Sequence, residues 1–295
     1  MSLYRIRIFT DYCDESYSKD LFERMYETHL MPEYGSDKEI YITMEDDYTH
    51  ALIFNQAMPQ LLESVPKQNV IGFSQEPMIF LNLRNDFVEY CQKYISKYFI
   101  GDVGGNLLPS PFIQGNSYLW HNIPITVPYK KKLVSIMISQ KTQAPGHKYR
   151  HELVKEILNT NLPIDIYGRG CFYYGGVNDS RIKGSFNESG HFYESYEMYE
   201  DYNFHICIEN CQTEHYFSEK IINSVIANCS PIYLGCRNIE KYFPNNVIYL
   251  TGDVKKDVAL LENIIKNPDA YKKQIDVLKI KDELNLLKQL KKLFE

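Results

Sequence analysis

Residues Tyr202 to Phe243 read YNFHICIENCQTEHYFSEKIINSVIANCSPIYLGCRNIEKYF, and this stretch decides the fold. Phe204 to Ile208 is a short, mostly apolar run with no polar face, as a parallel strand covered on both sides has. It stops at Glu209-Asn210. After a loop, Ser218 stands where an N-cap belongs, ahead of Glu219-Lys220 and a helical run to Ala227. Pro231 to Leu234 is a second strand, closed by Gly235. Strand, helix and strand in this order make a βαβ unit, and such units build parallel sheets. A helix N-terminus presents free N–H groups and partial positive charge, which suits a phosphate. Lys220 in that first turn opposes the helix dipole unless an anion is present, and Glu219 suits a ribose diol. The other reading is a solvated Glu219–Lys220 pair on an amphipathic helix. The pattern alone leaves both open.

The same rhythm runs outward in both directions. Upstream, strands are expected at Leu3 to Phe9, Glu39 to Met44, Tyr48 to Phe54, Val70 to Phe73 and from Tyr98 to Ile100. Helical spacing covers Ser16 to Leu30 and Asp86 to Tyr98. Residues 101–130 hold eight Gly and Pro residues, Gly101, Gly104, Gly105, Pro109, Pro111, Gly115, Pro124 and Pro128, which suits an interdomain connection without regular structure. Beyond it, strands are expected at Leu133 to Ser139, Ile164 to Tyr167 and Val247 to Leu250. Helices are expected at His147 to Asn159 and Tyr196 to Tyr202, and the tail from Val258 is helical. The expected fold is α/β: two Rossmann-like domains with parallel sheets, residues 1–125 and 126–270, and a helical C-terminal tail, 271–295. In such sheets ligands bind beyond the carboxyl ends of strands.

Composition narrows the function. The chain has 295 residues, 44% of them hydrophobic, with 32 Lys and Arg against 38 Asp and Glu, a net charge of −6. That charge excludes the broad positive field of a nonspecific nucleic-acid binder. There is no GxxxxGK[ST] loop and hence no ATPase reading. No apolar run reaches the length of a membrane span, and the Arg5-Ile6-Arg7 start does not read as a signal peptide. Seven cysteines, an odd number without a CxxC, suit reduced structural thiols. A cytoplasmic, soluble protein is therefore expected. His147 and His151 are four apart on a helix, but Lys148 and Arg150 crowd them, so a surface helix is expected there, with no metal.

The quoted block resembles the donor-binding signature of glycosyltransferase family 10, the α1,3/4-fucosyltransferases. Tyr202, Phe204, Glu209, Asn210, Tyr216, Glu219, Lys220, Pro231, Ile232, Tyr233 and Gly235 fall in register with it. Ile208, Cys211 and Ser218 depart from it mildly. The resemblance implies a GT-B-like pair of facing domains, with the nucleotide sugar on the C-terminal one. It implies GDP-fucose as co-substrate, a glycan or glycoconjugate acceptor, and an inverting transfer. Lys220 would bind the donor phosphates and Glu219 the ribose. Asn210 and Tyr216 would line the phosphate and fucose pocket. Arg169, in Gly168-Arg169-Gly170 after the second strand of this domain, would be a further phosphate ligand. The alternatives are a same-fold transferase with another nucleotide sugar and a non-catalytic glycan-binding module.

An inverting transferase needs a base for the acceptor hydroxyl, and a carboxylate at the edge of a partly dry cleft suits that role. Glu76, in Gln75-Glu76-Pro77 at the carboxyl end of an N-terminal strand, is the candidate catalytic residue. The Asp-x-Asp motif that holds a divalent ion in other glycosyltransferases is absent from the chain. A metal-independent site is expected, with no other cofactor required. The tail places Leu284, Leu287, Leu290 and Leu293 beside several lysines. Such a helix suits weak contact with anionic lipid, or packing on the adjoining domain, and packing is the expectation here.

Overall fold

The computed structural model describes residues 3–101, 108–118, 129–184 and 197–295. Connector residues 102–107 and 119–128 lie outside the described residues. The chain divides into two compact units. The first holds Met1–Trp120, Thr213–Tyr216 and Lys281–Glu295, and the second holds His121–Gln212 and Phe217–Ile280.

In the first unit, strands β1 (Tyr4–Phe9), β2 (Ile40–Ile42), β3 (His50–Phe54), β4 (Val70–Phe73), β5 (Lys97–Ile100) and β6 (Phe112–Gln114) form one parallel sheet. Its order is β2-β1-β3-β4-β5-β6. The central strands β3 and β4 are buried along their length, which is why they read as unbroken apolar runs. Helices α1 (Glu15–Met25), α2 (Met78–Leu81) and α3 (Asn85–Tyr94) flank them. Asp14 caps α1 by accepting the Tyr17 N–H at 2.8 Å. Ile8, Phe22, Leu52, Phe54 and Phe73 fill one core. Phe9, Ile53, Val70, Phe87 and Tyr98 fill another.

The second unit holds β7 (Lys132–Met137), β8 (Ile164–Tyr167), β9 (Ile182–Gly184), β10 (Tyr202–Ile208), β11 (Ser230–Leu234) and β12 (Ile248–Tyr249), again all parallel. The order is β12-β11-β10-β7-β8-β9. Counted within the unit, this is the 3-2-1-4-5-6 order of doubly wound nucleotide-binding sheets. Its switch point lies between β7 and β10. Helices α4 (Pro145–Leu158), α5 (Glu197–Glu200), α6 (Glu219–Ile226), α7 (Val254–Lys266) and α8 (Pro268–Tyr271) complete the unit.

The structure departs from the sequence reading at the connector, at the end of α1, at the start of α4 and in the short strand β9, which was not expected, and it bears out the packing expected of the tail. The Gly- and Pro-rich connector contains β6, which pairs with β5; three residues are too few to leave a periodic signal. Helix α1 ends at Met25, because Glu27 turns the chain into the left-handed region at φ 50. The α4 helix is not a surface helix at its basic face: His147, Arg150 and His151 are 6%, 4% and 9% exposed. Hydrogen bonds hold these groups inside, from Arg150 to Asn210 and between His151 and both Tyr174 and the Ser139 carbonyl. The tail forms α9 (Val277–Leu284) and α10 (Leu286–Phe294), and α10 joins the core of the first sheet. Leu286, Leu287, Leu290 and Leu293 are buried there, so the face considered for lipid is inside the protein. Among the described residues, no helix is long and apolar enough to cross a membrane.

Candidate functional site

Strand β10 delivers Glu209 and Asn210 to the carboxyl edge of the second sheet at its switch point. Two helices begin beside them. At the start of α4, the Gly146 N–H donates to the Asn210 carbonyl at 3.0 Å. The approach requires glycine, because a Cβ on Gly146 would lie 1.8 Å from the Glu209 carbonyl oxygen. One turn on, Arg150 points its guanidinium back. Its Nη2 donates to Asn210 Oδ1 at 2.8 Å and its Nε to the Gly146 carbonyl at 3.2 Å. His147 lies on the same turn, and its Nδ1 accepts the Ala144 N–H at 3.3 Å. Burial, with the Arg150 charge beside it, brings the His147 ring down to about 4, so the ring is neutral near pH 7.

Helix α6 begins on the other side. Ser218 is its N-cap, and its hydroxyl accepts the Lys220 N–H at 3.4 Å and Lys220 Nζ at 2.9 Å. Lys220 Nζ also pairs with Glu219 at 3.0 Å and lies 3.6 Å from Glu209. Burial pushes the half-buried Glu219 carboxyl up, but the Lys220 ammonium outweighs it and the carboxyl ends below its usual range. Burial alone would depress Lys220; Glu219 and Glu209 reverse that and raise it, against opposition from Arg150. Of the Glu219–Lys220 pair, the Lys220 side chain is 14% exposed and that of Glu219 41%, so the lysine is the end withdrawn from solvent. Two helix N-termini and two cations gather at Glu209-Asn210, Arg150 and α4 on Asn210 and Lys220 and α6 on Glu209, a setting suited to a diphosphate.

The remaining candidates lie elsewhere. Arg169 is exposed on the turn after β8, the strand next to β7. The turn is fastened to the end of β7 by the Gly170 N–H, which donates to the Ile138 carbonyl at 3.0 Å. Tyr216 is buried, and its segment, Thr213–Tyr216, groups with the first unit, beside Gly101 after β5. Glu76 is exposed two residues beyond Ser74, at the carboxyl end of β4. Its backbone is held: the Ser74 hydroxyl donates to the Glu76 carbonyl, and the Gln75 N–H donates to Asn55 Oδ1 at 2.9 Å. Among the described residues, no group of three or more His, Cys, Asp or Glu is arranged to hold a metal ion.

Arg150 is the residue that the motif did not reveal. A signal was present, since it lies in the first turns of the helix after the first strand of a doubly wound unit, the place where such folds commonly hold phosphates. The neighbouring Lys148 and His147 disguised it as part of a surface stripe.

Residues 127–277, just over half of the chain, match the family model described as glycosyltransferase family 10 (fucosyltransferase), C-terminal part. The chain is 32% identical to α-(1,3)-fucosyltransferase B of Drosophila melanogaster over 124 residues, which are 42% of this chain and 27% of that protein. It is 25% identical to a putative fucosyltransferase-like protein of Arabidopsis thaliana over 159 residues, 52% of this chain and 28% of that one. The chain thus spans about a quarter of the length of the curated relatives it matches. In fold it is similar to a crystal structure of an α1,3-fucosyltransferase with GDP, at 14% identity and a TM-score of 0.52, covering 98% of this chain and 88% of that one. The same holds for an α1,3-fucosyltransferase with GDP-fucose, at 13% and 0.50, covering 99% and 90%. The fold is GT-B-like, two parallel-sheet α/β domains.

Proposed function

The chain belongs to glycosyltransferase family 10, and from that membership we propose that it transfers fucose from GDP-fucose to a hydroxyl of a glycan acceptor with inversion at the anomeric carbon. The observation that carries the reading is the convergence at the end of β10, where Arg150 and the start of α4 meet Asn210 while Lys220 and the start of α6 meet the adjoining Glu209. In this reading Lys220 and Arg150 hold the diphosphate, with Arg169 contributing from the β8 turn. Glu219 accepts from the ribose diol, and Asn210 lines the phosphate and fucose pocket. Glu76 takes the proton of the acceptor hydroxyl as that oxygen attacks the anomeric carbon and GDP leaves. The charge gained by the departing diphosphate meets the fixed cations and N–H groups. No divalent ion is required, so excess EDTA is expected to leave turnover largely intact. The seven cysteines form no disulfide with one another and six of them are buried, which suits a reducing, cytoplasmic setting.

A panel of nucleotide sugars tests the donor. GDP-fucose at 100 times its Kd is expected to stabilise the protein by about 2.7 kcal/mol. NMR of the product from a β-linked donor is expected to show an α linkage. Stabilisation by a different nucleotide sugar alone, retention at the anomeric carbon, or activity abolished by EDTA and restored by Mn²⁺ would each overturn the corresponding part.

A further inference from the structure

Glu209 has no role in the contacts proposed above, yet it is 1% exposed at the centre of them. Its backbone is fixed by β10 and by its N–H, which donates to the Leu234 carbonyl at 2.8 Å. Its side chain is fixed by close packing, since a Cβ on Gly235 would come within 2.5 Å of Glu209 Cγ. Both carboxylate oxygens are engaged inside the protein. Oε1 accepts the Ser218 N–H at 2.9 Å and Oε2 accepts the Ser218 hydroxyl at 2.7 Å. Oε2 also faces Lys220 Nζ at 3.6 Å.

Capping α6 does not by itself call for this carboxylate. An N-cap serine needs only its own hydroxyl, and here the capping bond to the Lys220 N–H is long, at 3.4 Å. The shorter bonds of Ser218 run to Glu209 and to Lys220 Nζ. A buried carboxylate is costly unless its bonds are used. The chain of contacts therefore runs from a rigid strand end, through Glu209 and Ser218, to the ammonium of Lys220.

We propose that Glu209 is a positioning residue, which holds Ser218 and Lys220 so that the ammonium and the first N–H groups of α6 are aimed at the diphosphate before the donor arrives. This rests on the donor reading above. Glu219, the second carboxylate on Lys220, is the one that must turn to the ribose. Glu209 keeps the ammonium in place when it does. Without Glu209, Lys220 is left to Glu219 alone, and the donor must break that pair and reorder the cap.

Glu209→Gln keeps the shape and one acceptor oxygen for the Ser218 N–H, but removes the charge that faces Lys220. Calorimetry with GDP is expected to show roughly tenfold weaker binding, the scale of one charge-assisted bond, with the melting temperature nearly unchanged. The alkaline limb of GDP affinity, which reports the Lys220 ammonium, is expected to move to lower pH. In the Glu209→Gln/Lys220→Ala double variant, GDP affinity is expected to match that of Lys220→Ala alone, because Glu209 acts through Lys220. Ser218→Ala breaks the same chain of contacts from its other end and is expected to weaken GDP binding as well. If GDP affinity and its alkaline limb are unchanged in Glu209→Gln, or if the double variant is additive, Glu209 is only a structural group. Should Glu209→Gln not fold, normal GDP affinity in Ser218→Ala overturns the proposal. GDP binding lost in Lys220→Ala but intact in both other variants sinks this inference alone, whereas no GDP binding by the unaltered protein sinks the donor reading with it.

Discussion

Lys220 carries the clearest residue-level test. Its ammonium is raised by two carboxylates and stands in the first turn of α6, so an anion reaching it gains a charge-assisted bond. Lys220→Ala is expected to weaken GDP by about 1.5–3 kcal/mol, measured by calorimetry. Unchanged affinity would return Lys220 to a structural ion pair. Glu76 is tested by turnover rather than binding. Glu76→Gln is expected to lower the rate roughly 10²–10⁴-fold, with GDP affinity and melting temperature preserved, because the side chain is exposed and Gln is nearly isosteric. Near-normal turnover would place the base elsewhere in the first unit, with Asp11, Asp14 and Glu15 next to examine. These residues differ in how legible they were. Glu219 and Lys220 belong to one contiguous strand–loop–helix pattern, which marked them as candidates, and the family resemblance gave them their roles. Arg150 reaches Asn210 across 60 positions of sequence, and no local pattern encodes that contact.

At the scale of elements, α10 shows what an amphipathic pattern can and cannot tell. The leucine spacing gave the helix and its buried face. It did not give the partner, because any apolar surface satisfies the same stripe. The partner is the first sheet, far back in the chain: Leu290 is fully buried with Ile6, Ile42 and Leu52, and Lys97 Nζ donates to the Leu293 carbonyl at 2.9 Å. Asn285 fixes the start of the helix by accepting the N–H groups of Leu287 and Lys288. Strand β4, by contrast, was read to the residue, since a buried central strand between two loops has sharp ends. Leu290→Ala is expected to destabilise the first unit by about 2–5 kcal/mol, the range for a buried leucine truncated to alanine. Urea unfolding checks this. A loss below about 0.5 kcal/mol, typical of a surface position, would mean that α10 is not part of that core.

For the whole molecule, both parallel sheets were legible because most of their strands are short apolar runs between polar turns, whereas the three-residue strands β6 and β9 left no such signal. The order of strands was not, since register across a sheet leaves no trace in local sequence. Burial of histidines was equally hidden, and it sets how the molecule responds to acid. His205 is brought down to about 3 by burial inside the second sheet, where its Nδ1 meets the Ser135 hydroxyl at 2.8 Å. His147 on α4 and His50 on β3 are each brought down to about 4, again chiefly by burial. An unfolded histidine takes up its proton near pH 6.5. Between about pH 6.5 and 4 the unfolded chain therefore binds more protons at these rings than the folded chain does. Stability must fall as pH falls through that window, by about 1.4 kcal/mol per pH unit for each ring fully in this regime. Acidic groups act lower. The hydrogen bond from Arg181 holds Asp179 at about 2, so its contribution is complete above its ordinary value near 4 and fades only below it. Urea midpoints measured from about pH 7.5 down to about 4.5 are expected to be flat at first and to drop below about 6.5. His205→Asn, whose amide can take the place of Nδ1 beside Ser135, is expected to start less stable near neutrality and to lose stability less steeply on acidification, by one proton's worth of slope. A midpoint that stays level to pH 5, or an Asn variant with the parent slope, would mean that these rings take up protons in the folded protein and that burial does not govern its acid response.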